Sequence, residues 1–343
     1  MNLVRAELAR LFGRRFTKIM LGVVVLLLLV IGFGLASSSH KHNAQTRAQA
    51  LAQIQQMRAQ VQPEVDAQRA DCEAAQRGEA VPNAPKLPPG FDCSQIQAPD
   101  FTPTEENLAN FEPHQFVFRT DAADTLMVMG FLLALLGFAV GASFVGAEWS
   151  SGGMMNLLLW RPRRLQVLST KLAALLVGLT VFTVLVSAAW TGLFVLTARL
   201  RGTLAGMTSG AWQSILLLEL RGLVLVLAAG ALGFGLASLG RHTAMALGAA
   251  IGTIIVFQFG LGTVLTLAKV PFVEAYLAPV WFQAWLDKSA VATDWNSCDF
   301  SSTAGCEPAT LTITWPMAGG LLAAVVVLVV GAAMWTMRSR DIT

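Results

Sequence analysis

The chain has 343 residues, 55% of them apolar and only 13% charged, against about 25% charged in an average soluble domain. Long charge-free runs alternate with short clusters of Arg and Lys, which excludes an ordinary soluble globular domain and places the apolar surplus in a bilayer. The net charge of +3 carries meaning only once it is divided between the two sides of the membrane.

The first element is an amphipathic one. Residues 2–16 set Val4, Leu8, Leu11, Phe12 and Phe16 on one helical face, with Arg5, Glu7, Arg10 and Arg14 largely off it, so residues 1–18 read as a cytoplasmic interfacial helix. A charge-free run over 19–36 follows as the first membrane span (TM1). With the arginines before it and Ala36-Ser37-Ser38 after it, the run has the outline of a secretory signal, but it is long for one.

Residues 37–124 form the one sizeable polar portion and predict a small helical extracytoplasmic domain. Its first half is rich in Ala, Gln and Arg, and Leu51, Ile54, Val61 and Val65 recur near a heptad spacing, which predicts a projecting helix kinked at Pro63. Residues 81–90 hold too many prolines for a helix, and a second helix start is expected at 102–106, with Leu108 and Phe111 on one face.

Further runs predict TM2 over 125–147, TM3 over 172–197, TM4 over 214–239, TM5 over 243–268 and TM6 over 315–337. TM4 carries Glu219 and Arg221 in its outer end, within reach of the headgroups. The expected fold is therefore an all-α integral membrane protein with six spans. Residues 269–314 form an outer loop whose Tyr276, Trp281, Phe282 and Trp285 suggest an interfacial belt or a short helix dipping into the outer leaflet.

The positive-inside rule sets the topology. With both termini cytoplasmic, twelve basic residues face only Glu7, Glu148 and Asp341 on the inside, while twelve basic and eighteen acidic residues lie outside. All four cysteines then fall outside, Cys72 and Cys93 in the first outer segment, Cys298 and Cys306 in the last. Three pairings are open, of which proximity favours Cys72 with Cys93 and Cys298 with Cys306 in an oxidising compartment.

Within the spans, small residues repeat at four-residue spacing, among them Gly137 with Gly141 and Gly248 with Gly252, and permit close helix packing. Gln258 is the one strongly polar residue deep in a span, so it is a candidate for the substrate path. His40, His42 and His114 lack the further ligand spacing of a metal site, and no catalytic Ser, His or Cys arrangement and no paired carboxylates emerge.

The cytoplasmic connection over 148–171 is the most informative stretch. A link between two spans needs only a few residues, yet this one carries Glu148 at its start, Gly152 and Gly153, an apolar segment through Leu157 and Leu158, and Pro162, Arg163, Arg164 and Lys171 at its end. Such a segment offers a soluble partner an apolar ridge framed by charge.

Here the chain resembles the permease subunits of ABC-2-type exporters, in which this connection reads as an acid, a Gly-containing turn, a Leu pair, then Pro, Arg and a later Lys. Glu148, Gly152, Leu157, Leu158, Pro162, Arg164 and Lys171 carry the match, while Arg163 stands where many members have Ser and Gly153-Met154 replaces the commoner Gly-Thr. The resemblance implies a permease of the cell membrane that pairs with a second permease copy and with two ABC ATPase subunits. Residues 148–171 would be its coupling helix, and a lipophilic or amphipathic drug, antibiotic or lipid its cargo. The chain has no Gly-x-x-x-x-Gly-Lys-Ser/Thr loop, so ATP and Mg are expected in the partner ATPase, with no cofactor bound here. Membrane lipids are the other expected partner, and nucleic acid is not one. The competing reading is a membrane scaffold or sensor whose outer domain binds a partner. A secondary transporter is disfavoured by the lack of intramembrane acids and visible inverted repeats.

Overall fold

The computed structural model describes residues 2–77, 92–97, 99–102, 104–160, 163–297 and 307–339. Helix α1 (Asn2–Gly13) is followed directly by the first long helix, α2 (Arg15–Ser38). Next come α3 (Ala44–Gln76), α4 (Glu105–Phe111), α5 (Phe118–Ser150), the short α6 (Gly153–Trp160), α7 (Arg164–Arg201) and α8 (Ser209–Gly240). The remainder comprises α9 (Thr243–Thr253), a π-helical segment (Ile254–Leu261), α10 (Gly262–Leu267), α11 (Ala278–Asp287) and α12 (Trp315–Ser339). Six of these helical stretches are long and apolar enough to cross a membrane: α2, α5, α7, α8, the α9–π–α10 run and α12.

The helices overrun the charge-free runs. α7 begins at Arg164 and passes through Lys171, and α8 begins at Ser209, where the Thr208 hydroxyl accepts the Ala211 amide as an N-cap. A charge ends an apolar run in sequence, but it does not end a helix when the side chain has a partner or reaches an interface.

The chain divides into two compact units. The larger, residues 1–34, 118–196 and 204–343, contains most of each of the six candidate spans. At its centre α5 and α8 lie backbone to backbone. A Cβ built on Gly137 would stand 2.8 Å from the Val226 carbonyl oxygen, and one on Gly141 would overlap that of Gly230. Facing them, Gly233 presses on the Phe138 carbonyl and Gly235 on Val329 of α12. In lipid there is little hydrophobic drive between helices, so dispersion gained by such close approach is what holds them. Gly248 and Gly252 differ: a Cβ on either meets nothing within 4 Å. Among the described residues nothing packs against that pair.

The same unit contains a hairpin that the all-α expectation lacked. β3 (Ser289–Asp294) and β4 (Ala309–Thr314) pair antiparallel, with Ser289 opposite Thr314 and Asp294 opposite Ala309. Its inward Ala290 and Ile313 pack with Ala284 of α11 and Ala318 of α12. Trp285 fits over Gly319, and its indole donates to the Arg221 carbonyl at 3.0 Å. The Arg221 guanidinium in turn donates to the Leu286 carbonyl at 2.9 Å. Residue Glu219, two positions away, accepts from Thr191 of α7. Cys298 and Cys306 lie outside the described residues, so their pairing is not described.

The smaller unit, residues 35–117 and 197–203, is organised around α3. That helix is capped by Asn43, whose side chain accepts the Gln45 and Thr46 amides, and it runs unbroken through Pro63. Ala50 and Ile54 of α3 bury against Leu108 of α4, with Phe101 and Phe111 around them. A disulfide joins Cys72 to Cys93, the pairing favoured by proximity, and Arg69 donates twice to the nearby Ile96 carbonyl. The His42 ring contacts the Glu112 carboxylate at 3.1 Å and the Pro113 carbonyl at 3.0 Å. Two short parallel strands, β1 (Phe116–Val117) and β2 (Gly202–Thr203), close the unit.

Candidate functional site

The residues flanking the 148–171 connection converge on one buried cation. Lys171 of α7 has no exposed surface, and its Nζ lies 2.7 Å from Glu7 Oε2 of α1 and 2.7 Å from Glu148 Oε2 near the end of α5. Arg14, in the joint between α1 and α2, donates from Nη2 to Glu148 Oε1 at 2.7 Å and from Nη1 to the Ser143 carbonyl at 3.0 Å. At the other end Arg10 donates to Glu7 Oε1 at 2.9 Å. The chain Arg10, Glu7, Lys171, Glu148, Arg14 alternates in sign throughout. The Phe144 ring lies beneath two of its cations, 5.2 Å from Arg14 Cζ and 5.3 Å from Lys171 Nζ.

Each member is fixed by its helix. Leu8, Leu11 and Phe12 of α1 fit against Gly178, where a Cβ would come 2.8 Å from Leu11 Cδ2. This contact turns Glu7 inward, to 1% exposure. The amphipathic pattern sets Glu7 largely off the apolar face, yet Glu7 is buried because Lys171 of α7 lies opposite it. Glu148 sits in the last turn of α5, where a carboxylate opposes the helix dipole, and two cations offset that placement. Taking three charges out of water is costly, and their mutual attraction offsets this only while every member keeps its partners.

The neighbouring residue Trp149 grips the other side. Arg241, the left-handed residue that ends α8 (φ 53°), stacks its guanidinium 5.1 Å from the Trp149 ring. Gly146, one turn earlier, lets the α8–α9 turn approach so closely that a Cβ would be 2.5 Å from the Thr243 nitrogen. Trp149 and Ser238 line a cavity of about 20 Å³, the size of one water. The end of α5 is thus held from α1 and α7 through Glu148 and from the α8–α9 turn through Trp149.

Beyond this clamp the chain turns at Gly152, whose φ of 72° favours glycine, and enters α6. Along α6 Met154 is buried, Met155 and Leu159 are exposed, the latter at 82%, and Leu157 is half-buried. Leu158 lies on α6 as well, and Arg164 opens α7 half-buried. Pro162 lies outside the described residues. Of the residues singled out in this connection, Glu148 and Lys171 are brought together facing inward. Reading the sequence missed Glu7, Arg14, Trp149 and Arg241 as members. The available signal was that Glu7 is the sole acid among the first 18 residues, in a segment otherwise basic.

Gln258 is half-buried within the π-helical segment, well away in sequence from this cluster, and borders an open groove of about 360 Å³ with Phe259, Thr263 and Thr266. Such wide turns recur where helices carry function. Among the described residues no group of three or more His, Cys, Asp or Glu side chains is placed to hold a metal ion.

A protein-family profile described as ABC-2 family transporter protein matches residues 1–340. No curated protein and no solved structure matches the chain.

Proposed function

The chain belongs to the ABC-2 transporter family and is a multi-pass membrane transport subunit, and on that premise we propose that it is the permease of an ATP-driven exporter. Two copies would form a twelve-helix unit in the cell membrane, termini in the cytoplasm, and two ABC ATPase subunits would bind ATP and Mg. The cargo class is lipophilic or amphipathic, a drug, antibiotic or lipid, and Gln258 with its groove is the proposed polar point on its path.

One observation carries the coupling role: α6 presents exposed apolar side chains while both of its flanks are bolted to other helices. In this reading Leu157, Leu158 and Leu159 seat on the ATPase, with Gly152 shaping the entry turn and Pro162 and Arg164 the exit. Glu148 and Lys171 act from behind as positioning residues. A push on α6 then passes through Glu148 to α1 and α7 and through Trp149 to the α8–α9 turn. The alternation of buried charges favours such a rigid joint, because shifting one helix alone would strand a charge.

The test is coexpression with an ABC ATPase subunit encoded beside this chain, followed by purification and an ATPase assay. Leu159→Asp is expected to abolish copurification and permease-dependent ATP hydrolysis while the permease itself stays folded. Normal assembly and normal hydrolysis by this variant would reject the assignment of α6. If no ATPase associates with the wild-type chain, the scaffold or sensor reading of the outer unit takes its place.

A further inference from the structure

The fold removes the one negative charge from the N-terminal surface. Among residues 2–18 the sole acid is Glu7, and it is buried against Lys171. Arg5, Arg10, Arg15 and Lys18 remain exposed. Arg10 pairs with Glu7, but its side chain keeps 55% exposure. Arg5, Arg15 and Lys18 have no ion pair or side-chain hydrogen bond among the described residues.

Apolar side chains lie between these cations. Phe12 and Phe16 are exposed at 39% and 38%, and Ile19 at 59%. Arg5 and Phe12, seven residues apart, share one exposed face of α1. Phe16 and Ile19 continue along α2 into Val23, Leu26 and Val30, which are also exposed on a helix apolar enough to span a membrane. A cationic and aromatic surface that runs without a break into a lipid-facing span has lipid as its occupant. A soluble acidic partner would have to displace that lipid to reach it.

We infer that this surface binds anionic phospholipid, with Arg5, Arg15 and Lys18 on the headgroup phosphates and Phe12, Phe16 and Ile19 in the upper acyl region. The burial of Glu7 is what makes the surface selective, since an exposed carboxylate at its centre would repel the same headgroups. The inference rests on the reading of α1 as interfacial and needs no ATPase.

The experiment uses the purified full-length chain in a mild detergent, with phosphatidylglycerol and phosphatidylcholine of equal chain length added together and retained lipids counted by native mass spectrometry. Phosphatidylglycerol adducts are expected to dominate. Each basic residue near an anionic surface contributes about fivefold in affinity, so the triple variant Arg5→Gln/Arg15→Gln/Lys18→Gln should lose about 100-fold and fall to the phosphatidylcholine level. The charge-conserving Arg5→Lys/Arg15→Lys should keep the preference, which separates loss of charge from loss of fold. Removing as many charges elsewhere, by Lys41→Gln/Arg58→Gln/Lys269→Gln, should leave it intact. Equal adducts of the two lipids, an unaffected triple variant, or equal loss from the control would overturn the proposal. So would displacement of the lipid by millimolar inorganic phosphate, which would make this a phosphate site. A variant that fails here yet still couples to an ATPase separates this inference from the permease reading.

Discussion

Lys171 shows how a single buried charge can be worth more as a partner than as a contact surface. Its ammonium holds two carboxylates from helices far apart in sequence, Glu7 and Glu148. Lys171→Met fits the apolar stem but leaves both acids buried and half-paired, so a loss of about 3–5 kcal/mol is expected, read as a drop in thermal midpoint in detergent. Adding Glu7→Gln should recover part of that loss, because it removes one of the stranded charges. Additivity of the two substitutions would show that Glu7 and Lys171 are not coupled. The sequence displayed Lys171 and Glu148 as charges bordering an apolar segment. That they point inward was not legible, since a charge at a membrane edge normally faces water and only a partner 164 residues away reverses the choice.

At the scale of elements, the spans were legible because lipid demands about 20 apolar residues in a helix, and the packing pair Gly137 and Gly141 because backbone approach demands small residues. Gly141→Leu would drive a side chain into the Gly230 carbonyl and should cost about 1–3 kcal/mol. Gly192→Ala, at a helical position where a Cβ meets nothing within 4 Å, should be neutral or stabilise by up to about 1 kcal/mol. Thermal unfolding of the two variants side by side checks the contrast, and equal loss would remove the special role of the α5–α8 contact. Gly248 and Gly252 have the same spacing, yet a Cβ on either meets nothing within 4 Å among the described residues, so the motif alone does not reveal which helices meet. The β3–β4 hairpin illustrates another limit. The alternating Thr residues of β4 are a strand signal, but its partner is set by a long-range pairing that no local pattern encodes. Nearer the start of α4, Asp100 accepts from the Thr102 side chain and backbone, and these bonds hold its carboxyl below the usual range. A depressed carboxyl stabilises at pH above its unfolded value and loses that contribution as pH falls through the folded one. Protection of the Thr102 amide, taken relative to its intrinsic exchange rate at each pH, should therefore fall on acidification below about pH 4, and Asp100→Asn should remove that dependence.

For the whole molecule, the division into a six-span unit and a smaller disulfide-linked unit predicts that the two respond separately to reduction. Cys72 and Cys93 close a loop of 21 residues, and such a link typically contributes about 3 kcal/mol. Cys72→Ser/Cys93→Ser should make residues of the smaller unit sensitive to protease at temperatures where the six spans remain intact. Simultaneous loss of both units would show that they unfold as one.

The sequence by itself determined the membrane environment, the six stretches long and apolar enough to cross it, the family and the proximity-favoured disulfide, because each follows from local composition or short spacing acting through solvent. Only the tertiary structure decided that Glu7 and Lys171 meet, that Trp149 stacks with Arg241, and that the N-terminal surface is left purely cationic. Those outcomes depend on which helices pack together, and a buried charge finds its partner through that packing rather than through its neighbours in the chain.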